Sequence, residues 1–188
     1  MSVKEYLQAE ISMMKTMNHP GINGYQSTHD YVLQHGKQYE SVALTAEELD
    51  IVCTRNFADF KTRQCYRNAQ VLLLFMSNIC NKVDIRYVEG VASADLIPVD
   101  HAWITLNGKV IDLTWGPMKK VAHKDRIYLR RTSRVLGVLP EGYEYLGIEF
   151  TEEQVMKYLI AHGMYSSLLD DYECRWPVLR GAEEHSRE

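Results

Sequence analysis

Three residues of this chain have the side-chain types of an acyl-transfer site: Cys65 at the head of an apolar run, His101 in Asp100-His-Ala-Trp103, and Asp112 in Val110-Ile-Asp-Leu-Thr114. A thiol at neutral pH is mostly protonated and needs a nearby base or positive field to become a good nucleophile. Histidine can take that proton and later return it to a leaving group. A carboxylate on the far ring nitrogen fixes the tautomer and steadies the imidazolium. Each residue alone has a plainer explanation: a small buried thiol, a satisfied strand histidine, a hairpin surface charge. Their order, and the elements that carry them, favour reading them together as nucleophile, base and orienter.

Cys65 opens Cys65-Tyr-Arg-Asn-Ala69, which runs into Val71-Leu-Leu-Leu-Phe-Met76. A helix starting near Arg63-Gln64-Cys65 would place Ala69, Leu72, Met76 and Ile79 on one stripe, with Val71, Leu74 and Phe75 filling much of the other side. Such a helix is apolar nearly all round and should be the buried central one. In its first turn, unpaired backbone N–H groups and the helix dipole favour a thiolate and could stabilise an oxyanion.

The period then changes. Val83, Ile85 and Tyr87 alternate with polar neighbours as in a strand, which Gly90 is expected to close. A loop, Ala92 to Pro98, leads to a second strand, Val99 to Leu106. Asn107-Gly108 is a strong two-residue hairpin signal, and Lys109 to Trp115 is the return strand. With that turn Leu106 pairs with Lys109, Trp103 faces Asp112, and His101 faces Thr114. Alternation then puts His101, Trp103, Asp112 and Thr114 on one face, with His101 and Asp112 diagonal neighbours about 7–8 Å apart. A slip of one residue would send Asp112 to the opposite face.

The remaining chain reads as mostly helical before Cys65 and mixed after Asp112. Ser2 with Glu5, Thr45 with Glu48, and Thr151 with Gln154 have capping-box spacing. They open helices over residues 2–17, through Leu49, Val52 and Cys53, and through Val155, Tyr158, Leu159 and His162 to a stop at Gly163. Another helix is expected from about Gln26 to His35, stopped by Gly36. Tyr143 to Phe150 reads as a strand. His19, His29 and His35 share no ligand-like spacing, so no metal is expected. Residues 116–136 carry seven cations against Asp125, a net +6 in a chain of −4. This segment suits either an acidic partner or, more simply, a solvated strand-and-loop face.

At 188 residues, 46% hydrophobic and 24% charged, the composition is that of one soluble globular domain. We assign 1–180 to a single domain and 181–188 to a polar, disordered tail. A pI near 6.0 gives no overall drive toward nucleic acid or anionic membrane. No apolar run approaches the ~20 residues of a membrane span. Without a signal-peptide pattern the chain is expected to be cytoplasmic, where Cys53, Cys65, Cys80 and Cys174 are thiols by default. Cys53 and Cys80 read as small core residues.

The His-Ala-Trp and Ile-Asp-x-Thr-Trp pair, following a cysteine at a helix start, resembles the transglutaminase-like branch of the papain-like cysteine enzymes. The resemblance spans roughly residues 60–116. The Cys-Tyr-Arg-Asn-Ala start and Glu-Tyr-Leu-Gly-Ile-Glu-Phe are also similar to small bacterial and phage proteins. It implies an α+β fold with a Cys-bearing central helix packed on an antiparallel sheet, a Cys65, His101, Asp112 triad and no cofactor. The chain departs from the family where Arg63-Gln64 replace a Gly-rich turn and Tyr66 replaces a tryptophan. The expected activity is hydrolysis or transfer of an acyl group from a protein, peptide or small amide, through a thioester. The alternative is a non-enzymatic binding or inhibitor module using the basic 116–136 segment. Gln64, Asn68, Trp103 and Trp115 are candidates for oxyanion or substrate contacts. Each also has a simpler explanation, as an exposed amide, a core amide or aromatic packing. The stretch from Ser93 to Asp100 is the candidate substrate-facing loop.

Overall fold

Three helices begin where a Ser or Thr stands three residues before a Glu or Gln. At α1 (Val3–Thr16) the Ser2 hydroxyl accepts from the Glu5 amide, and the Glu5 carboxylate accepts from the Ser2 amide at 2.8 Å. Thr45 with Glu48 and Thr151 with Gln154 repeat that reciprocal pairing at α3 (Ala46–Cys53) and α5 (Glu152–His162). Each box satisfies two backbone donors that a helix start leaves without partners. Between them lie α2 (Thr28–His35), capped by Ser27, and α4 (Cys65–Ser77). The computed structural model describes residues 1–18, 21, 24–53, 64–77, 83–94, 97–115, 118–123, 126–131, 134–162 and 167–169, without the side chains of 53, 118–123 and 126–131. His19, Ile79, Cys80, Gly163, Cys174, the 181–188 tail and the side chain of Cys53 therefore lie outside the described residues.

The fold is α+β. Six antiparallel strands form one sheet in the order β1-β8-β2-β3-β4-β7. They are β1 (Lys37–Gln38), β2 (Ile85–Ala94), β3 (Val99–Leu106), β4 (Lys109–Asp112), β7 (Val135–Leu136) and β8 (Tyr143–Phe150). A separate two-stranded ribbon pairs β5 (Met118–His123) with β6 (Arg126–Arg131). The basic segment thus forms strands, while most of its charged side chains lie outside the described residues.

The β3–β4 hairpin has the register expected from its turn: Leu106 pairs with Lys109, Thr105 with Val110 and Ile104 with Ile111. Asn107 and Gly108 both take positive φ, 50° and 78°. That backbone suits a tight turn between right-twisted strands. Glu48 fastens the tip, accepting from Asn107 Nδ2 at 2.8 Å and Lys109 Nζ at 2.6 Å. The Lys109 bond leads the causes that hold its carboxyl down at about 2.

Three expectations need correction. Gly90 does not close β2, which continues to Ala94. Gly90 pairs with Gly147 across β2 and β8, and a Cβ at Gly90 would collide with the Leu146 carbonyl and the Gly147 backbone. The glycine serves close strand approach rather than a stop. Ser93 is consequently a buried strand residue and not part of a loop. Nor is α4 buried all round: Phe75 is 36% exposed, whereas polar Asn68 and Gln70 face inward.

The sheet's two faces hold different cores. Ala69, Leu72, Leu73 and Met76 of α4 join Tyr87, Ala102, Ile104, Leu106 and Ile111 in the larger apolar cluster. Val88, Ala92, Trp103, Val110 and Tyr145 form a second cluster on the opposite parity. On the first face Glu89 is a buried carboxylate whose pKa burial raises. It accepts from Tyr87 Oη, Ser167 Oγ and the amides of Leu168 and Leu169 at 2.6–3.0 Å. These bonds tie residues 167–169 to β2.

His29 pins α1 and α2 to the start of β3. Its Nδ1 meets Glu10 and its Nε2 meets Asp100, both at 2.6 Å. Ionised carboxylates only accept, so both nitrogens must carry protons and His29 is an imidazolium. Burial, the largest influence, opposes that charge; the Asp100 and Glu10 contacts override it and lift His29 to about 9. A histidine whose folded pKa is raised contributes stability fully present below its unfolded value, ~6.5. That contribution fades as pH rises through about 9. Urea melts of wild type and His29→Gln should therefore differ most at pH 6 and converge by pH 10; a gap independent of pH would show that the charge is not what pins these helices. Gly90→Ala should lower unfolding free energy by about 3 kcal/mol by prying β8 from β2. A denaturant midpoint within error of wild type would show that the two strands can separate freely there.

Candidate active site

Cys65 is the first residue of α4 and is half-buried. The helix packs on β2 and β3, which brings its N-terminal turn to His101 near the start of β3. The thiol lies near enough to the imidazole to help raise the pKa of His101. The other side of the ring is spoken for: His101 Nε2 donates to Asp112 Oδ2 at 2.7 Å. Nδ1 is thus the nitrogen available to sulfur. His101 is 2% exposed and Asp112 1%. The structure brings all three residues together in the order thiol, imidazole, carboxylate, and the diagonal expected from the hairpin is the one that joins His101 to Asp112.

Asp112 has every acceptor position in use. Oδ2 also accepts from the Tyr145 hydroxyl at 2.9 Å, and Oδ1 accepts from the amides of Thr114 at 2.8 Å and Trp115 at 3.0 Å. Donors that satisfy the charged form keep a buried carboxylate ionised. Its charge in turn governs the histidine. Burial is the largest influence on His101 and disfavours the imidazolium. The charge and hydrogen bond of Asp112, then those of Cys65, outweigh it and lift His101 to about 9. At neutral pH the ring holds its proton.

Aromatic rings enclose the imidazole. Trp115 stacks on it with centroids 4.6 Å apart and planes at 25°, while Trp103 and Tyr145 stand 6.2 and 6.3 Å away. Trp103 meets Tyr145 and Tyr39 edge-on. Its outer ring lies where a side chain at Gly147 would have been. Trp103 is thus a core residue, 1% exposed, and its contact with the site is packing. Trp115 is half-buried and covers the imidazole.

The amide candidates separate. Gln64 is exposed just before α4 and carries its carbonyl to the Asn68 amide. Asn68 is 1% exposed, so it does not face a substrate. Its Nδ2 donates to Thr114 Oγ1 at 2.9 Å, joining α4 to the turn that leaves β4. Of the stretch from Ser93 to Asp100, Ser93 belongs to β2, Val99 and Asp100 belong to β3, and Ile97 is 69% exposed.

Sequence reasoning missed Tyr145 and His29. Tyr145 lies on a strand separated from β4 by two others, so no local spacing points to it; Asp100 next to His101 was visible, but its partner comes from α2. Among the described residues no group of three His, Cys, Asp or Glu could hold a metal ion. No described helix is long and apolar enough to cross a membrane. Comparison with family models, curated proteins and solved structures finds no match.

The Asp112 bond accounts for the high pKa of His101. In Asp112→Asn, burial would act against little but the thiol, and the imidazole should titrate below its usual ~6.5. An NMR titration of labelled histidine measures this; a His101 that still titrates near 9 would remove Asp112 as the cause.

Proposed function

We propose that this protein is a cysteine-dependent acyl-transfer enzyme with a transglutaminase-like, papain-like core. Cys65 is its nucleophile, His101 its acid and base, and Asp112 the residue that orients His101. One observation carries the reading. A histidine that is almost wholly buried bridges a half-buried helix-start thiol and a carboxylate with four hydrogen bonds. A core histidine needs no such thiol, and a structural ion pair needs no nucleophile at its other end. The order of elements also supports the family: a Cys-bearing helix, then His and Asp on adjacent antiparallel strands.

The geometry supports the following reaction. With the proton on His101, the Cys65 sulfur attacks the carbonyl carbon of an amide. The oxygen takes up negative charge, which the Cys65 backbone N–H at the start of α4 would stabilise by donating a hydrogen bond. As the C–N bond breaks, His101 gives its proton to the departing amine, leaving a thioester on Cys65. His101 then takes a proton from water, the hydroxide adds, and the thiolate leaves to regenerate the starting pair. An amine in place of water gives transfer instead of hydrolysis. Hydrolysis is the simpler outcome because it needs no second acceptor site.

Alkylation by iodoacetamide with site mapping by mass spectrometry tests the nucleophile. Cys65 should react at pH 6 at least about tenfold faster than an ordinary thiol of pKa ~8.5, and His101→Ala should abolish the excess. A Cys65 rate equal to that of an unfolded control would refute the enzyme reading. Retention of a binding activity in Cys65→Ala would point to the basic segment instead.

A further inference from the structure

The contacts of the proposed site close into a ring. Cys65 acts on His101, His101 Nε2 bonds Asp112 Oδ2, and Asp112 Oδ1 takes the Thr114 amide. The Thr114 hydroxyl accepts from Asn68 Nδ2 at 2.9 Å. Asn68 lies one helical turn after Cys65 on the same helix, so its backbone closes the circuit. Apart from Cys65 every member is at most 5% exposed.

We infer that Asn68 and Thr114 are positioning residues that fix the first turn of α4 against the outgoing end of β4, and thereby set the distance between the Cys65 sulfur and the His101 ring. This rests on the catalytic reading above and adds to it residues that touch no substrate. The physical reason lies in what each element would do alone. The lower part of α4 is held by Leu72, Leu73 and Met76, apolar contacts that tolerate small slides and rotations of the helix. Beside Cys65, where a shift of one ångström would separate sulfur from nitrogen, the hydrogen bond from Asn68 supplies a directional constraint that the apolar contacts do not. Thr114 is suited to receive it because its own amide is committed to Asp112, so one residue holds both the carboxylate and the helix. Ala69, Ala102, Ile111 and Leu113 line the crevice around this bond. These apolar neighbours strengthen it.

The test is the pH dependence of Cys65 alkylation in the full-length chain, mapped by mass spectrometry, for wild type, Thr114→Val, Thr114→Ser, Asn68→Ala and the double variant Asn68→Ala/Thr114→Val. Circular dichroism establishes that each is folded. Thr114→Val keeps the side-chain shape and removes the acceptor. It should move the half-maximal pH of alkylation up by about one unit, which is about a tenfold loss of rate at pH 6. Thr114→Ser keeps the hydroxyl and should follow wild type. Asn68→Ala should match Thr114→Val, and the double variant should be no slower than either, because both remove the same bond. Should Asn68→Ala fail to fold, the contrast between valine and serine at 114 decides alone. A Thr114→Val profile that superposes on wild type overturns the inference, as does a Thr114→Ser profile displaced as far as valine; both leave the catalytic reading intact provided wild type keeps its fast thiol. A wild-type Cys65 that behaves as an ordinary thiol overturns both.

Discussion

A carboxylate almost removed from water stays charged only where donors replace the water it lost, and this fold meets that demand at Asp112. Its donors come from three places: His101 on β3, the Thr114 and Trp115 amides just past β4, and Tyr145 on β8. Leaving such a group without its partners costs about 3–5 kcal/mol. The ends of three strands are therefore tied to one point. A hairpin slipped by one residue would turn Asp112 to the face of Ile111 and Leu113, against the apolar side of α4, where none of these donors waits. The register of β3 on β4 is thus a condition of stability as well as of any chemistry at Cys65.

What the sequence discloses follows from how local each interaction is. The Asn107-Gly108 turn is two residues long, so its chemistry alone set the hairpin register and the His101–Asp112 diagonal. The three capping boxes span four residues each and were equally legible. Gly90 misled because a glycine in a strand has two uses, ending it or admitting a neighbour, and only the facing Gly147 decides between them. Tyr145 and His29 were invisible for the same reason: their partners lie on elements that meet only after folding. The all-round burial expected of α4 failed in an instructive way. Hydrophobicity would have put Phe75 inside and Asn68 and Gln70 outside. The structure instead spends its buried positions on amides that bond Thr114 and Tyr87, since a buried polar group with a partner can define a helix position as apolar contacts cannot.

The sheet divides two tasks between its faces. The face under α4 is mostly aliphatic and holds the helix by area. The opposite face is aromatic around His101, with Trp115, Trp103 and Tyr145 excluding water from the imidazole. Enclosure by itself would strip His101 of its proton, and burial is the largest single influence on it. The same enclosure lowers the local dielectric and magnifies the attraction of Asp112 for the imidazolium. The second effect wins because the carboxylate is close and fixed, and a more exposed pair would lose much of that attraction to solvent screening.

That arrangement also explains why the thiol stands at a helix start and not on the sheet beside its base. On the proposed reading the thiol has to meet a substrate, whereas the imidazole works best when water cannot reach it. A sheet position next to His101 would be enclosed by the same rings. The first residue of α4 is half-buried, beside the ring and open enough to be approached. There the positive end of the helix dipole also favours negative charge on sulfur. The boundary between the two cores is therefore the place where a half-buried sulfur and a sheltered imidazole come together, and there Asn68 in the first turn of α4 bonds the residue that leaves the end of β4.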